Sequence, residues 1–430
     1  MTRATEPEES IPGISMRKLP FVIMFGLSAL LTGNTLSPQP SRFFTTLKYT
    51  HVAGLQGWFA CPSDPIKVGW GHWFRGGSDI KNPDSLAIDV WPDISELDPD
   101  EKCPTPFKLR SGEPAYLFSD QNPKTVARQF RWMQQYGLDG VAVQRFVSHL
   151  DGKSLQGHFD AVLRNVRVAA EAYRRGFFIM YDGIEGDAEV EAIKRDWRRL
   201  TEQEHIAESP AYMFHHDKPA VGLWGLGFTA RKLTPKQAED LISFFRTAKV
   251  AATVLGGVPG HWRNLDGASR PERKWAYVYR SLDVISPWTV GGFSDDQGAN
   301  NFAKQYLIPD LAETSKLRID YMPVVWPGFS WRNGAGRARN APLNQIPRQC
   351  GYFYRNQVDN ILKAGADMIY TAMLDEANEG TAISKLAVHT EDLPNGVGMI
   401  PLDEGECANA SSDMYLRIAG EATRRLHANR

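Results

Sequence analysis

Cysteine is scarce in this chain. There are four in 430 residues, Cys61, Cys103, Cys350 and Cys407, and no two stand in C-x-x-C spacing, which argues against a structural zinc site. An excess of charge of one sign is missing too. Forty-nine Lys and Arg against 50 Asp and Glu leave a formal net charge of -1, so no basic excess is offered to a polyanion, and nucleic acid drops out as a main partner. The apolar run at residues 21–31 is too short for a comfortable membrane span, which takes about 20 residues. No G-x-G-x-x-G or P-loop follows any strand-like run, and neither a G-x-S-x-G elbow nor an H-E-x-x-H helix occurs. Those absences remove the common dinucleotide, nucleotide-phosphate, serine-hydrolase and metalloprotease readings. No cofactor and no metal is called for.

What is present reads as an ordinary globular chain with ample length for a large core, at 42% hydrophobic and 23% charged residues. Arg17 and Lys18 precede the run at 21–31, an arrangement like the n- and h-regions of a secretory signal. Residues 1–36 are therefore expected to be a signal peptide or an uncleaved N-terminal anchor, with Met16 an alternative start. In an exported protein the four cysteines allow two disulfides in three connectivities; free buried thiols are the other reading. Residues 37–65, polar and broken by Pro, read as a linker or irregular cap.

From there a rhythm sets in. Strand-like apolar runs cover residues 67–74, 140–146, 176–182, 220–228, 251–257, 282–288, 321–326 and 368–374. Helical patterns lie between them, at 123–136, 159–173, from Thr234-Pro235 onward, 273–281, 301–315 and 350–364, and a last one follows at 412–428. Eight continuous apolar strands separated by helices predict an α/β fold, a (β/α)8 TIM barrel spanning 66–430. The long gap between the first two strands predicts an elaborated loop there, with residues 91–114 polar, Pro-rich and Cys-bearing. An open doubly wound sheet is the alternative, weakened by the missing phosphate-binding loops.

The last strand organises the functional reading. It ends in D-E-A-N-E-G-T, residues 375–381, and a buried strand opening into three carboxylates is costly unless they face a cleft. Glu376 and Glu379 are three apart, so one turn puts both on one side. Two carboxylates at one site are the minimum equipment for glycoside hydrolysis. An acidic helix start is the bland alternative. Read in order, the other strand ends supply Trp70 and His72, Arg145, Asp182, Trp224, His261 and Trp262, Trp288, then Trp326 and Trp331, with Asp375 beside the glutamates. Indole faces stack on sugar C–H faces and the polar groups bind hydroxyls, so this set describes a carbohydrate cleft. Each member has a structural alternative: a Trp at a strand end can be core, Asp182 can cap a turn, and Arg145 can pair with an acidic neighbour. His72 and His261 lack a third ligand at metal-binding spacing.

The D-E-A-N-E-G-T ending resembles the N-E-W-x-E-G-T pattern of glycoside hydrolase family 99 and the related family 71. W-P-G-F-S-W at residues 326–331, ahead of an Arg/Asn-rich loop, fits the same pattern, as does an early strand ending in aromatics. The resemblance implies a metal-free (β/α)8 barrel and a retaining endo-acting α-mannosidase chemistry. Carried over, Glu376 assists attack by the sugar's own 2-hydroxyl, giving a 1,2-anhydro intermediate. Glu379 protonates the leaving oxygen and later activates water. Asp375 stands where the pattern has Asn, Ala377 where it has an aromatic, and Asn378 where His or Gly is common, so the subsite at Ala377 differs. The expected partner is an oligo- or polysaccharide, with no nucleic acid and no membrane beyond the N-terminal anchor. The other readings of the same residues are a non-catalytic glycan-binding barrel and a glycosidase for another polysaccharide.

Overall fold

The computed structural model describes residues 41–75, 80–150, 152, 154–334, 341–405 and 407–430. The leader expected in residues 1–36, and residues 335–340 of the Arg/Asn-rich loop, lie outside them. In chain order come β1 (His51–Leu55), a hairpin of β2 (Cys103–Lys108) and β3 (Pro114–Leu117), α1 (Pro123–Tyr136), β4 (Gly140–Phe146), α2 (Ser154–Tyr173), β5 (Gly176–Asp182) and α3 (Asp187–Arg198). Then follow β6 (Phe214–His215), β7 (Lys218–Trp224), α4 (Pro235–Thr247), β8 (Thr253–Pro259), α5 (Arg273–Arg280) and β9 (Val284–Trp288). The last part holds α6 (Asp296–Phe302), α7 (Ile308–Leu317), β10 (Asp320–Tyr321), β11 (Val324–Val325), α8 (Tyr352–Lys363), β12 (Ile369–Thr371) and α9 (Met414–His427).

Apart from the separate β2–β3 hairpin, the strands form one curled, mostly parallel sheet. From β1 the order runs through β4, β5, β7, β8 and β9 to β10 on one side, and through β12 to β11 on the other. Because β10 and β11 are two pieces of the stretch 320–325, the two ends of the path meet there and the sheet closes into an α/β barrel. Pro323 explains the break: it brings no N–H to the ladder. Helices cover the outside and side chains fill the inside, so the strands are buried on both faces, which is why they read as continuous apolar runs. Helix ends follow local chemistry. Asn122 caps α1 by accepting from the Lys124 amide at 3.0 Å, and Gly137 closes it at φ 95°. Thr234 and Gln237 form a capping box at α4, with Pro235 in the first turn.

The first barrel strand corrects the sequence reading. It is β1, inside the stretch read as an irregular cap, and residues 67–74 form turns with one isolated bridge at Phe74. The strand was hidden because it is short and carries a polar residue and a glycine. His51 is buried and hydrogen-bonds Thr371 Oγ1 at 2.7 Å and Thr423 Oγ1 at 2.9 Å. Gly54 leaves room for its neighbours: a Cβ there would lie 2.1 Å from Met373 Cε and 2.4 Å from Tyr370 Oη. Residues 56–122 leave β1, carry the β2–β3 hairpin and return to α1. Cys61 bonds Cys103, fixing this excursion, and Cys350 bonds Cys407, tying the start of α8 to the stretch before α9.

Candidate active site

The chain leaves β12 into a loop, residues 374–384, that folds back on itself. The amides of Thr381 and Ala382 donate to Glu376 O, and the Ser384 amide donates to Leu374 O. From outside, Arg348 donates to Gly380 O at 2.9 Å and Ala382 O at 2.7 Å. Asn378 donates to His72 O and Ala87 O, pinning the loop after β1 across the acids.

Asp375, 3% exposed, accepts from the Gln56 and Gly57 amides at 2.8 and 2.9 Å. It thereby joins the end of β12 to the end of β1; burial still lifts its pKa to about 6. Glu376, 6% exposed, accepts from Gln56 Nε2 at 3.0 Å and from Thr381 Oγ1 at 2.9 Å. Burial drives it well above the ordinary glutamate range, and the Glu379 charge pushes the same way. Glu379 is half-buried, and its carbonyl accepts from the Ser330 amide at 2.9 Å. One acid is thus shielded and held while its electrostatic partner is only half-buried. A pair with unequal environments can divide proton donation and proton acceptance between its members.

Two groups of aromatics flank the acids. On one side Trp224 meets Trp288 edge-on at 5.3 Å, and Trp288 meets Tyr370 at 6.4 Å. Tyr370 feels the charges of Glu376, Asp375 and Asp182, which brings these residues to one end of the barrel. Burial raises Asp182 to about 6, while its ion pair with Arg231 at 3.0 Å pulls it back. The Arg231 guanidinium also lies 5.2 Å from the Trp224 ring. On the other side Trp58 is sandwiched between Phe146 and His72, and the exposed His72 ring is stacked on it at 3.9 Å.

Other expected site residues lie elsewhere. Arg145 is 1% exposed and turned into the layer between strands and helices, where Asp196 holds it at 2.6 Å and Asp160 at 2.9 Å; it is a structural ion pair, as an alternating strand residue next to inward Gln144 must be. Trp262 is fully buried and donates to Asp310 Oδ2 at 2.8 Å. Trp326 is fully buried against Phe293 and Phe353. Trp70, 7% exposed, packs on Phe74. These three indoles are core: Trp326 directly after β11 and Trp262 in the loop after β8 pack inside, and Trp70 is buried in the turns of residues 67–74. His261 pairs with Asp266 at 3.0 Å and stacks on Tyr306. Half-buried Trp331 meets Phe329 edge-on at 4.4 Å, one residue from the Ser330–Glu379 bond.

The sequence reading missed Gln56, Trp58, Asp89, Arg348 and Tyr370. Gln56 and Trp58 follow a strand that was not recognised. Asp89 and Arg348 carry no spacing signal, since only the folded chain brings them to the acids, and Tyr370 was passed over as an ordinary apolar member of the strand that ends in them. Among the described residues one group could resemble a metal centre: His215, His216 and Asp320, with ligand atoms within 4.8 Å of one another. His215 Nδ1 accepts from the Leu47 amide, so its Nε2 proton points at Asp320, and Lys48 adds its ammonium to the same carboxylate at 2.9 Å. The group is a closed hydrogen-bond network as it stands.

No protein-family model and no curated protein sequence matches the chain. Solved structures do. Two structures of the GH99 endo-alpha-mannosidase from Bacteroides thetaiotaomicron, one in complex with bis-tris-propane, each align with a TM-score of 0.61 at 13% identity, over 89% and 90% of this chain and 99% of that one. A glycoside hydrolase-like protein aligns with a TM-score of 0.51 at 16% identity, over 74% of this chain and 89% of that one. The chain therefore has a GH99-like barrel fold.

Proposed function

We propose that the protein is an exported, retaining glycoside hydrolase acting on an α-linked, mannan-like glycan. The observation that carries the proposal is the unequal acid pair at the end of β12. Glu376 is shielded and held by Gln56 and Thr381, and Glu379 is half-open beside it. The likeness in fold to a GH99 endo-alpha-mannosidase supports the same reading.

In the first step Glu376 takes the proton of the sugar 2-hydroxyl as O2 attacks C1. Glu379 gives its proton to the leaving oxygen, and a 1,2-anhydro sugar results. In the second step the Glu379 carboxylate takes a proton from water attacking C1. The C1–O2 bond breaks, Glu376 returns its proton to O2, and the anomeric configuration is retained. A base raised by burial is a stronger base once ionised, which suits abstraction from a sugar hydroxyl. Trp224 and Trp288 supply the sugar-binding wall. The two disulfides fit an oxidising compartment, and no described helix is long and apolar enough to cross a membrane.

The test is to incubate the purified protein with α-mannans and with plant and microbial polysaccharides, and to read the anomer of the first product by NMR. An α-product lost in Glu379→Gln is expected. An inverted product would end the retaining assignment. Binding without product, indifferent to Glu379→Gln, would leave a glycan-binding barrel. Cleavage of a non-mannan polysaccharide alone would keep the chemistry and change the substrate.

A further inference from the structure

Arg348 is buried against the acid loop, and none of the steps above uses it. Its Nη2 donates to two carbonyls, Gly380 O at 2.9 Å and Ala382 O at 2.7 Å. Thr381 lies between them. The Thr381 hydroxyl donates to Glu376 Oε2 at 2.9 Å, and its amide donates to Glu376 O at 3.2 Å. Gly380, at φ 69°, makes the turn that follows Glu379. One cation therefore holds the backbone on both sides of the residue that fixes Glu376, directly after Glu379. Hydrogen bonds from a charged donor are among the stronger kinds, and losing one inside a buried loop leaves its carbonyl unpaired.

Arg348 is held in its turn by packing and by the chain that follows it. A Cβ on Gly328 would stand 2.7 Å from Arg348 Cγ, so the stem lies against that glycine. The guanidinium sits 4.5 Å from the centre of the Tyr415 ring. The next three residues turn the chain into α8 in left-handed backbone, Gln349 at φ 49°, Cys350 at φ 52° and Gly351 at φ 79°. Only glycine takes this region without steric cost, so two consecutive residues with a Cβ need an outside restraint to stay in it. Cys350 has one in its bond to Cys407. The stretch that leads to Cys407 is itself tied to the acid loop. The Ile400 amide donates to Asp89 O and the Asp89 amide to Ala377 O, both at 2.9 Å, and the Leu402 amide donates to Ala387 O at 3.1 Å. The disulfide thus closes a circuit from the acid loop through Asp89 and Ile400 back to Arg348.

We propose that Arg348 is a positioning residue for the acid pair and that the Cys350–Cys407 bond is the restraint that keeps it in place. Without the bond, residues 349–350 relax out of the left-handed region and carry the guanidinium away from its two carbonyls. The acid loop then loosens while the long barrel strands stay paired. The inference rests on the proposed function only in calling the pair catalytic.

The test reads the acid loop directly, by amide hydrogen exchange with mass spectrometry on the full chain. The amides of Thr381, Ala382, Ile383 and Ser384 are all bonded within the loop, and β4 and β5 serve as the internal reference. In Cys350→Ser with Cys407→Ser, exchange across residues 374–384 is expected to rise at least about tenfold while β4 and β5 hold. Adding Gln349→Gly to that pair should bring part of the protection back, since glycine needs no restraint there. Arg348→Met, which removes the donors and keeps the stem, should loosen the same residues, and Arg348→Lys, whose ammonium still donates, should loosen them less. Should the serine pair fail to fold, the two Arg348 variants decide. Loop exchange that stays at the wild-type rate, or that rises equally in β4 and β5, overturns the proposal. On a glycan that the protein cleaves, Arg348→Met should lower kcat by at least about tenfold with KM within about threefold, because the indole wall stays where it is. A lower Tm with kcat per folded molecule unchanged would mark a merely structural role and overturn the proposal. If no glycan is cleaved, the proposed function fails and the exchange measurement still decides this inference.

Discussion

Glu376→Gln separates catalysis from folding more sharply than any other single change. The substitution keeps the shape of the side chain and removes its charge. Gln56 Oε1 is buried with no partner, so the Gln56 amide can turn over and accept from the new side-chain NH2, while the remaining carbonyl accepts from Thr381 as before. The net hydrogen-bond change is then within about 1 kcal/mol. Ionisation adds a signed effect. Glu376 has a folded pKa raised well above its ordinary value, burial being the largest cause. The unfolded chain therefore loses this proton first, and the wild type loses stability as pH rises from the ordinary glutamate range toward the folded value. The variant lacks that loss. Its Tm should match the wild type near pH 4 and exceed it increasingly from pH 6 to 8. Turnover should nonetheless fall by a factor of about 10² to 10⁴, or ~3–5 kcal/mol of barrier. Differential scanning calorimetry across pH, together with product release from the cleaved glycan, measures both. Turnover within about tenfold of wild type, or a Tm deficit that grows with pH, would refute the reasoning.

Trp326→Ala should cost about 3–5 kcal/mol of stability because it empties a core site, seen as a lower urea midpoint, whereas Trp224→Ala at the rim should lower turnover with a much smaller stability change. His51 is pushed down to about 4 by burial, so it stays neutral in the fold while the unfolded chain protonates. Its contribution is present above pH ~6.5 and is lost as pH falls toward 4, by up to about 3 kcal/mol; urea denaturation of wild type against His51→Gln at pH 7, 5.5 and 4 should show the difference between them shrinking. The Cys61–Cys103 bond closes a loop of 42 residues' separation, so Cys61→Ser with Cys103→Ser should destabilise by about 4 kcal/mol on chain-entropy grounds, read as a Tm drop, and reducing agent, which also opens Cys350–Cys407, should lower the wild type further still.

Long strands with clean helical neighbours were legible in the sequence because burial on both faces leaves uninterrupted apolar runs, as in β4, β5 and β8. Short strands were not. β1 hides behind His51, whose ring is satisfied by Thr371, Thr423 and the Ala419 carbonyl, more than 300 residues away in the chain. The acid pair stood out because three carboxylates after an apolar run is locally improbable. Which strand-end side chain turns inward was not legible, since a one-residue difference in register sends it to the other face; Arg145 and Trp326 went to the outer layer for that reason. The supports of the acid loop, Arg348 and Asp89, act through backbone carbonyls and loop contacts that leave no pattern in the chain.

The interruption at Pro323 has a consequence for how the barrel comes apart. β4 and β5 share seven paired positions, whereas β10 offers two to β9 and β11 two to β12. Amide exchange should therefore be fastest along residues 320–325, and a force or denaturant that unzips this narrow seam would uncurl the cylinder into an open sheet while every wider pairing stayed intact. Because β12 is one of the two strands bordering that seam, the first rupture would release the edge that carries the acid loop.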